Sequence, residues 1–236
     1  MLRVIDKTHL TPNMLRITLQ GAQLEDTPWQ PGCYVKHQIP DESRPKMRTY
    51  TARSYDATTQ SLAIDFAIHQ PAGPATSWAL GANIGDEIEL KGPGQLRMDT
   101  SAGDWHLFAA DMAALPAAIS VIEALPESAK GYAFLEVMSE EDKQEIAAPE
   151  GIEVRWLIHP HPKKKSGQQL EAIKALEPLE GTPNVWVAGE LSTIREIRGY
   201  VNEAPAFASA VSYISSYWKI GLSEEEHKQA KRMGVG

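Results

Sequence analysis

The chain has 236 residues, 42% hydrophobic and 23% charged, enough for one large soluble domain or two modest ones with a sizeable core. Its 31 acidic residues outnumber 23 basic ones, giving a net charge of −8, which argues against non-specific nucleic-acid binding. The single cysteine, Cys33, excludes an intramolecular disulfide and a cysteine metal cage.

Residues 1–7 lack the apolar region of a signal peptide, and no apolar run approaches bilayer length. The expectation is a cytoplasmic protein without membrane insertion. Residues 2–10 and 13–19 read as two short alternating strands, residues 28–32 as a turn cluster, and residues 34–39 as a third strand. Next comes Arg48-Thr49-Tyr50-Thr51-Ala52-Arg53, in the pattern Arg-x-Tyr-Thr-x-Arg. On a strand that ends or bends here, a guanidinium, a phenol ring and a hydroxyl can all meet one extended ligand. Arginine suits a diphosphate through paired charge-assisted bonds, tyrosine offers a stacking face, and threonine offers a hydroxyl. A flavin dinucleotide presents those features in that order. The pattern equally suits a barrel strand with two solvated arginines and a half-buried tyrosine.

Residues 61–69 alternate as an antiparallel strand, with Leu62, Ile64, Phe66 and Ile68 set against Ala63, Asp65 and Ala67. After Gly73, Pro74 can open a short helix whose free N–H groups would bind phosphate, with hydroxyls from Thr76 and Ser77; Trp78 reads as core. Gly85-Asp86 is a turn, and residues 87–91 form a strand stopping at Gly92-Pro93-Gly94. Many short strands divided by turn signals predict a small antiparallel barrel over residues 1–100.

From about Gly103 the pattern changes. Strands at 105–110, 131–138, 151–158 and 184–188 alternate with helices at 111–125, 167–176 and 190–201, which predicts an α/β domain with a parallel sheet over residues 101–236. A further strand at 211–218 precedes Ser223-Glu224-Glu225-Glu226, a capping box opening a last helix. The fold class is therefore α+β with two domains. Crevices in parallel sheets lie beyond the carboxyl ends of the strands, where Asp111, His159 and Gly189-Glu190 fall. The turn at 110–114 lacks the glycines of a dinucleotide fingerprint.

A barrel carrying Arg-x-Tyr-Thr-x-Arg followed by an α/β half resembles the ferredoxin–NADP reductase superfamily. The segments His69…Gly73-Pro74-Ala75…Trp78-Ala79, Ala110-Asp111…Ala114-Leu115-Pro116-Ala117, Trp186-Val187-Ala188-Gly189-Glu190 and Tyr217-Trp218-Lys219…Gly221…Glu224-Glu225-Glu226-His227 resemble those of siderophore-interacting proteins, flavin-dependent ferric-siderophore reductases. The resemblance implies an FAD-binding barrel and a nucleotide-binding-like α/β half. It implies that Arg48 and Arg53 contact the diphosphate or ribityl region, that Tyr50 stacks on the isoalloxazine and that Thr51 approaches its N5 edge. Gly73, Ala75, Thr76 and Ser77 would hold the diphosphate, with His69 beside the cofactor. The implied activity is reduction of Fe(III) in a siderophore to Fe(II), with NAD(P)H or a reduced ferredoxin as donor. Asp111, Ala114, Gly189 and Glu190 would form the nicotinamide site, and its poor glycine content suggests slow NAD(P)H turnover.

For an anionic ferric complex, a net-negative protein needs local cations, and Lys46, Lys219 and Lys163-Lys164-Lys165 are the expected substrate-facing residues. Lys219 stands where the family usually shows arginine, which keeps the charge but loses the planar fork. No general acid, nucleophile or metal-ligand set is assigned, and His106, His159 and His161 read as structural or solvated. Two other readings are another flavin reductase with a protein or small organic acceptor, and a non-catalytic siderophore-binding flavoprotein.

Overall fold

The computed structural model describes residues 1–25, 27–39, 46–95, 99 and 101–232, with the side chains of Lys46 and Arg232 outside that set. The chain forms two compact units, Met1–Leu96 and Arg97–Gly236.

The first unit contains strands β1 (Leu2–Thr11), β2 (Met14–Gln20), β3 (Tyr34–Ile39), β4 (Lys46–Thr51), β5 (Ser54–Asp56), β6 (Ser61–Ala67), β7 (Glu87–Ile88) and β8 (Leu90–Gly94), with one helix, α1 (Pro74–Gly81). All pairings are antiparallel, in a five-stranded sheet ordered β5-β6-β2-β1-β7 and a three-stranded sheet ordered β4-β3-β8. Alternation drives Leu15, Ile17 and Leu19 of β2 and Leu62, Ile64 and Phe66 of β6 into one core with Val35 and Ile39 of β3.

The chain changes sheets at two corners. At the first, Ala52 N–H donates to Cys33 O (3.0 Å) and the next amide, Arg53 N–H, donates to Ala63 O (2.9 Å) on the opposite sheet. At the second, β7 leads into β8. The expected single strand at 87–91 is thus two strands, and β8 continues through Gly92-Pro93-Gly94 instead of stopping there. Sequence punctuation misleads here because β8 is an edge strand, where proline is tolerated. Gly94 is also required: a Cβ there would lie 2.1 Å from the Tyr34 ring.

The second unit contains β9 (Trp105–Ala110), α2 (Leu115–Ile122), β10 (Lys130–Val137), β11 (Gly151–Ile158), α3 (Gln168–Ala175), β12 (Pro183–Glu190), α4 (Leu191–Glu203), β13 (Val211–Trp218) and α5 (Glu224–Arg232). The strands form one parallel sheet ordered β11-β10-β9-β12-β13. β9 and β12 are buried along their whole length and supply Trp105, Leu107, Val185 and Val187 to the core beneath α3 and α4. The chain builds outward from β9 to β11, then returns to the other side of β9 with β12. The strand order reverses between β9 and β12, so their carboxyl ends define the topological switch point.

Candidate functional site

In the first unit the arginine–tyrosine–threonine pattern occupies β4. Arg48 lies opposite His37, Tyr50 opposite Val35 and Thr51 opposite Tyr34. Arg48 and Tyr50 share the inward side: Arg48 is 8% exposed, its Nη1 donating to Met47 O (3.1 Å), and the Tyr50 ring lies 4.4 Å from that of Phe66. Thr51 is the last strand residue, and Arg53 follows the sheet change, so the corner separates the two arginines onto different sheets.

Asp65, which alternates with the apolar residues of its strand, is 3% exposed. Arg16 donates to it through Nε (2.6 Å) and Nη2 (2.8 Å), and Arg53 Nε lies 4.0 Å from its Oδ2. This carboxylate lies within ion-pair distance of both arginines, and period-2 alternation alone could not reveal it, because both faces of β6 are covered.

Helix α1 begins at an extended Gly73 with Pro74 in its first turn and no side-chain cap, and its first helical bond runs from Ser77 N–H to Gly73 O (2.8 Å). The Ala75 and Thr76 amides therefore have no intrahelical acceptor. A Cβ on Gly73 would meet only His69 Cε1, at 3.9 Å, so the space over the helix start is open. The Thr76 hydroxyl turns inward to Ala67 O (3.4 Å), which leaves its amide, not its hydroxyl, for an anion; Ser77 and His69 are exposed. His37, a residue that sequence reading missed, supports this helix. It is fully buried, with its ring perpendicular to that of Trp78 at 4.2 Å, and burial lowers its pKa to about 4. Arg48, Arg53, the Tyr50 ring and the uncapped start of α1 are each of the chemistry that a diphosphate and a ring system such as those of FAD would use.

In the second unit the switch point is held by two carboxylates. Asp111 Oδ1 accepts from the amides of Ala113 (3.0 Å) and Ala114 (3.2 Å). These bonds explain why α2 starts at Leu115 and not at Asp111 as expected. Asp111 Oδ2 accepts from Glu190 N–H (2.9 Å) and Trp218 Nε1–H (2.7 Å). Burial is the main force raising the Asp111 pKa, to about 6, with the Trp218 bond opposing it and the Glu136 charge adding to it. Gly189 must be glycine: its φ is +154°, and a Cβ would lie 2.6 Å from Asp111 Oδ2. Glu190 caps α4 by accepting from Ser192 N–H (2.6 Å) and Thr193 N–H (3.2 Å), and its other oxygen accepts from Ile220 N–H (3.2 Å).

Asp111, Ala114, Gly189 and Glu190 are thus brought together. Lys219 lies between Trp218 and Ile220 and is half-buried. Lys163, Lys164 and Lys165 form an exposed turn after β11; Lys165 pairs with Glu196 of α4, and Lys164 O meets His159 Nε2 (2.9 Å). The Lys46 side chain lies outside the described residues. Among the described residues no helix is long and apolar enough to cross a membrane.

An antiparallel two-sheet unit carrying this β4 strand, followed by a parallel sheet with helices, has the domain order of the ferredoxin–NADP reductase fold. Residues 30–97 match the family model "Siderophore-interacting FAD-binding domain", and residues 103–221 match "Siderophore-interacting protein". The chain belongs to the siderophore-interacting protein family. It is 32% identical to the ferric vibriobactin reductase ViuB of Vibrio cholerae serotype O1 over 255 aligned residues, covering 99% of this chain and 94% of that one. It resembles the crystal structure of the siderophore-interacting protein SipS from Aeromonas hydrophila, with a TM-score of 0.85, 27% identity and coverage of 99% and 96%. A ferredoxin–NADP reductase from Plasmodium falciparum shares the fold alone, with a TM-score of 0.66, 12% identity and coverage of 91% and 95%.

Proposed function

We propose that this protein reduces the iron of a ferric siderophore to Fe(II) with electrons carried by FAD. The observation that carries the reading is the β4 corner, where Arg48, Tyr50 and Thr51 close one strand and Arg53 follows across the sheet change, in a chain whose relative is a ferric vibriobactin reductase. When bound, FAD supplies a carrier that accepts an electron pair and releases electrons singly, as an iron acceptor requires. The chain's residues do the rest. Arg48 and Arg53 neutralise the diphosphate, the amides of Ala75 and Thr76 with Ser77 cradle it beside Gly73, and His69 flanks it. Tyr50 seats the ring, and Thr51 holds its edge.

Lys219, Lys46 and the 163–165 turn supply cations for an anionic ferric complex, Lys165 doing so in competition with Glu196. NAD(P)H or a reduced ferredoxin delivers electrons. A nicotinamide donor would approach Asp111, Ala114, Gly189 and Glu190. There the amides of Ala113 and Ala114 already serve Asp111, which favours slow NAD(P)H turnover and a faster small electron-carrier protein. The test supplies a reductant and a ferrous chelator to the yellow protein and follows the ferric-siderophore absorbance. Its loss with formation of the ferrous chelate supports the reading. Persistence of the absorbance with flavin bound would leave a siderophore-binding flavoprotein instead.

A further inference from the structure

Between β12 and β13 the parallel register slips by one residue: Gly189 pairs with Ser216, but Glu190 pairs with Trp218. Tyr217 is the extra residue. A bulge of this kind re-aims the side chains beyond it. Here the residue after the bulge, Trp218, donates its indole N–H to Asp111 Oδ2 at 2.7 Å. Two residues on, Ile220 donates its backbone N–H to Glu190 Oε1 at 3.2 Å. The residue between them is Lys219.

Each carboxylate is itself fixed. Asp111 accepts from Ala113, Ala114 and Glu190 amides, and Gly189 leaves the space in which it sits. Glu190 is anchored as the cap of α4. The tail is therefore gripped on both sides of one lysine by groups at the ends of two central, fully buried strands.

We propose that Asp111 and Glu190 are positioning residues that clamp Trp218 and Ile220, and so hold Lys219 in place to receive an anionic ferric complex. The proposal rests on the ferric-siderophore reading above. It gives the two acidic groups of the switch point a task on the substrate side, distinct from nicotinamide binding. A lysine on a free tail loses side-chain and backbone freedom on meeting its ligand, and a pre-clamped lysine loses less.

The test is a double-mutant cycle on the FAD-bound protein, read by titration with the ferric tris-catecholate of 2,3-dihydroxybenzoate at low and high salt. Trp218→Phe removes the indole donor and keeps an aromatic ring at the position. Expected are an affinity loss of about threefold for Trp218→Phe, a similar loss for Lys219→Ala, and no further loss in the double variant, since the clamp acts through the lysine. Trp218→Phe should also flatten the salt dependence as Lys219→Ala does. Additive losses, or unchanged affinity in Trp218→Phe or in Lys219→Ala, would overturn the clamp. If Trp218→Phe melts below the assay temperature, Glu190→Gln, which cannot serve both Ile220 and the α4 cap, reads the other side with the same two outcomes. Failure of the wild type to bind or reduce any ferric siderophore would instead sink the functional reading.

Discussion

Replacing Arg53 and Arg48 together by alanine should give a folded protein that has lost its FAD. Arg53 sits 4.0 Å from Asp65, whose carboxylate would be costly to leave alone in the interior. Asp65 keeps its two-pronged bond from Arg16, at 2.6 and 2.8 Å, so losing Arg53 does not strand a buried charge. Arg48 lies along β4, whose ladder to β3 is backbone-bonded and survives truncation of the side chain. The fold should therefore tolerate the change. Charge-assisted bonds contribute about 1.5–3 kcal/mol each, so losing one from each arginine lowers FAD affinity by about two to four orders of magnitude. Flavin content of the purified protein and fluorescence titration of the apoprotein measure this, with circular dichroism as the folding control. Full flavin occupancy in the double variant would refute the assignment of both arginines.

Three further outcomes are expected. His37 is neutral in the fold, with a pKa of about 4 against 6.5 when unfolded. As pH falls from 6.5 toward 4 the unfolded chain takes up the proton first, so stability present above 6.5 is lost in that window, by about 3 kcal/mol. Urea unfolding at pH 7 and pH 4.5 should show this loss in the wild type and a much smaller one in His37→Leu; equal losses would contradict it. Gly189→Ala forces a Cβ to within 2.6 Å of Asp111 Oδ2 and should lower stability by about 2 kcal/mol or more, read as a fall in melting temperature. Ser223→Ala removes a capping box seen as Ser223 N–H to Glu226 Oε2 (2.7 Å) and Glu226 N–H to Ser223 Oγ (3.3 Å). It should cost about 1 kcal/mol, seen as faster amide exchange in α5.

Much of the fold was legible because its strands carry strong patterns. The runs at 34–39, 105–110, 151–158 and 211–218 coincide with β3, β9, β11 and β13 to the residue. The capping box at Ser223 was visible for the same reason, since its two partners lie three residues apart. β5 escaped notice because three residues show no period, and β8 was merged with β7 and cut short because glycine and proline on an edge strand look like a stop. The β4 pattern could be read as a ligand strand, but not its supports. Asp65 reaches Arg16 and Arg53 across strand neighbours, and His37 meets Trp78 through space, so neither leaves a local signal. At the switch point Asp111 and Glu190 were placed correctly at strand ends. Their bonds to Trp218 and Ile220 span 107 and 30 positions and depend on a one-residue slip in register that no periodicity foretells.

The most direct measurement is a single turnover without any natural electron donor. The FAD-bound protein is photoreduced under anaerobic conditions and mixed rapidly with a ferric catecholate and a ferrous chelator. Flavin reoxidation and ferrous-chelate formation should proceed together, with two iron equivalents reduced for each flavin, since each reduced flavin carries an electron pair. A flavin that stays reduced while the ferric complex remains intact would contradict the account.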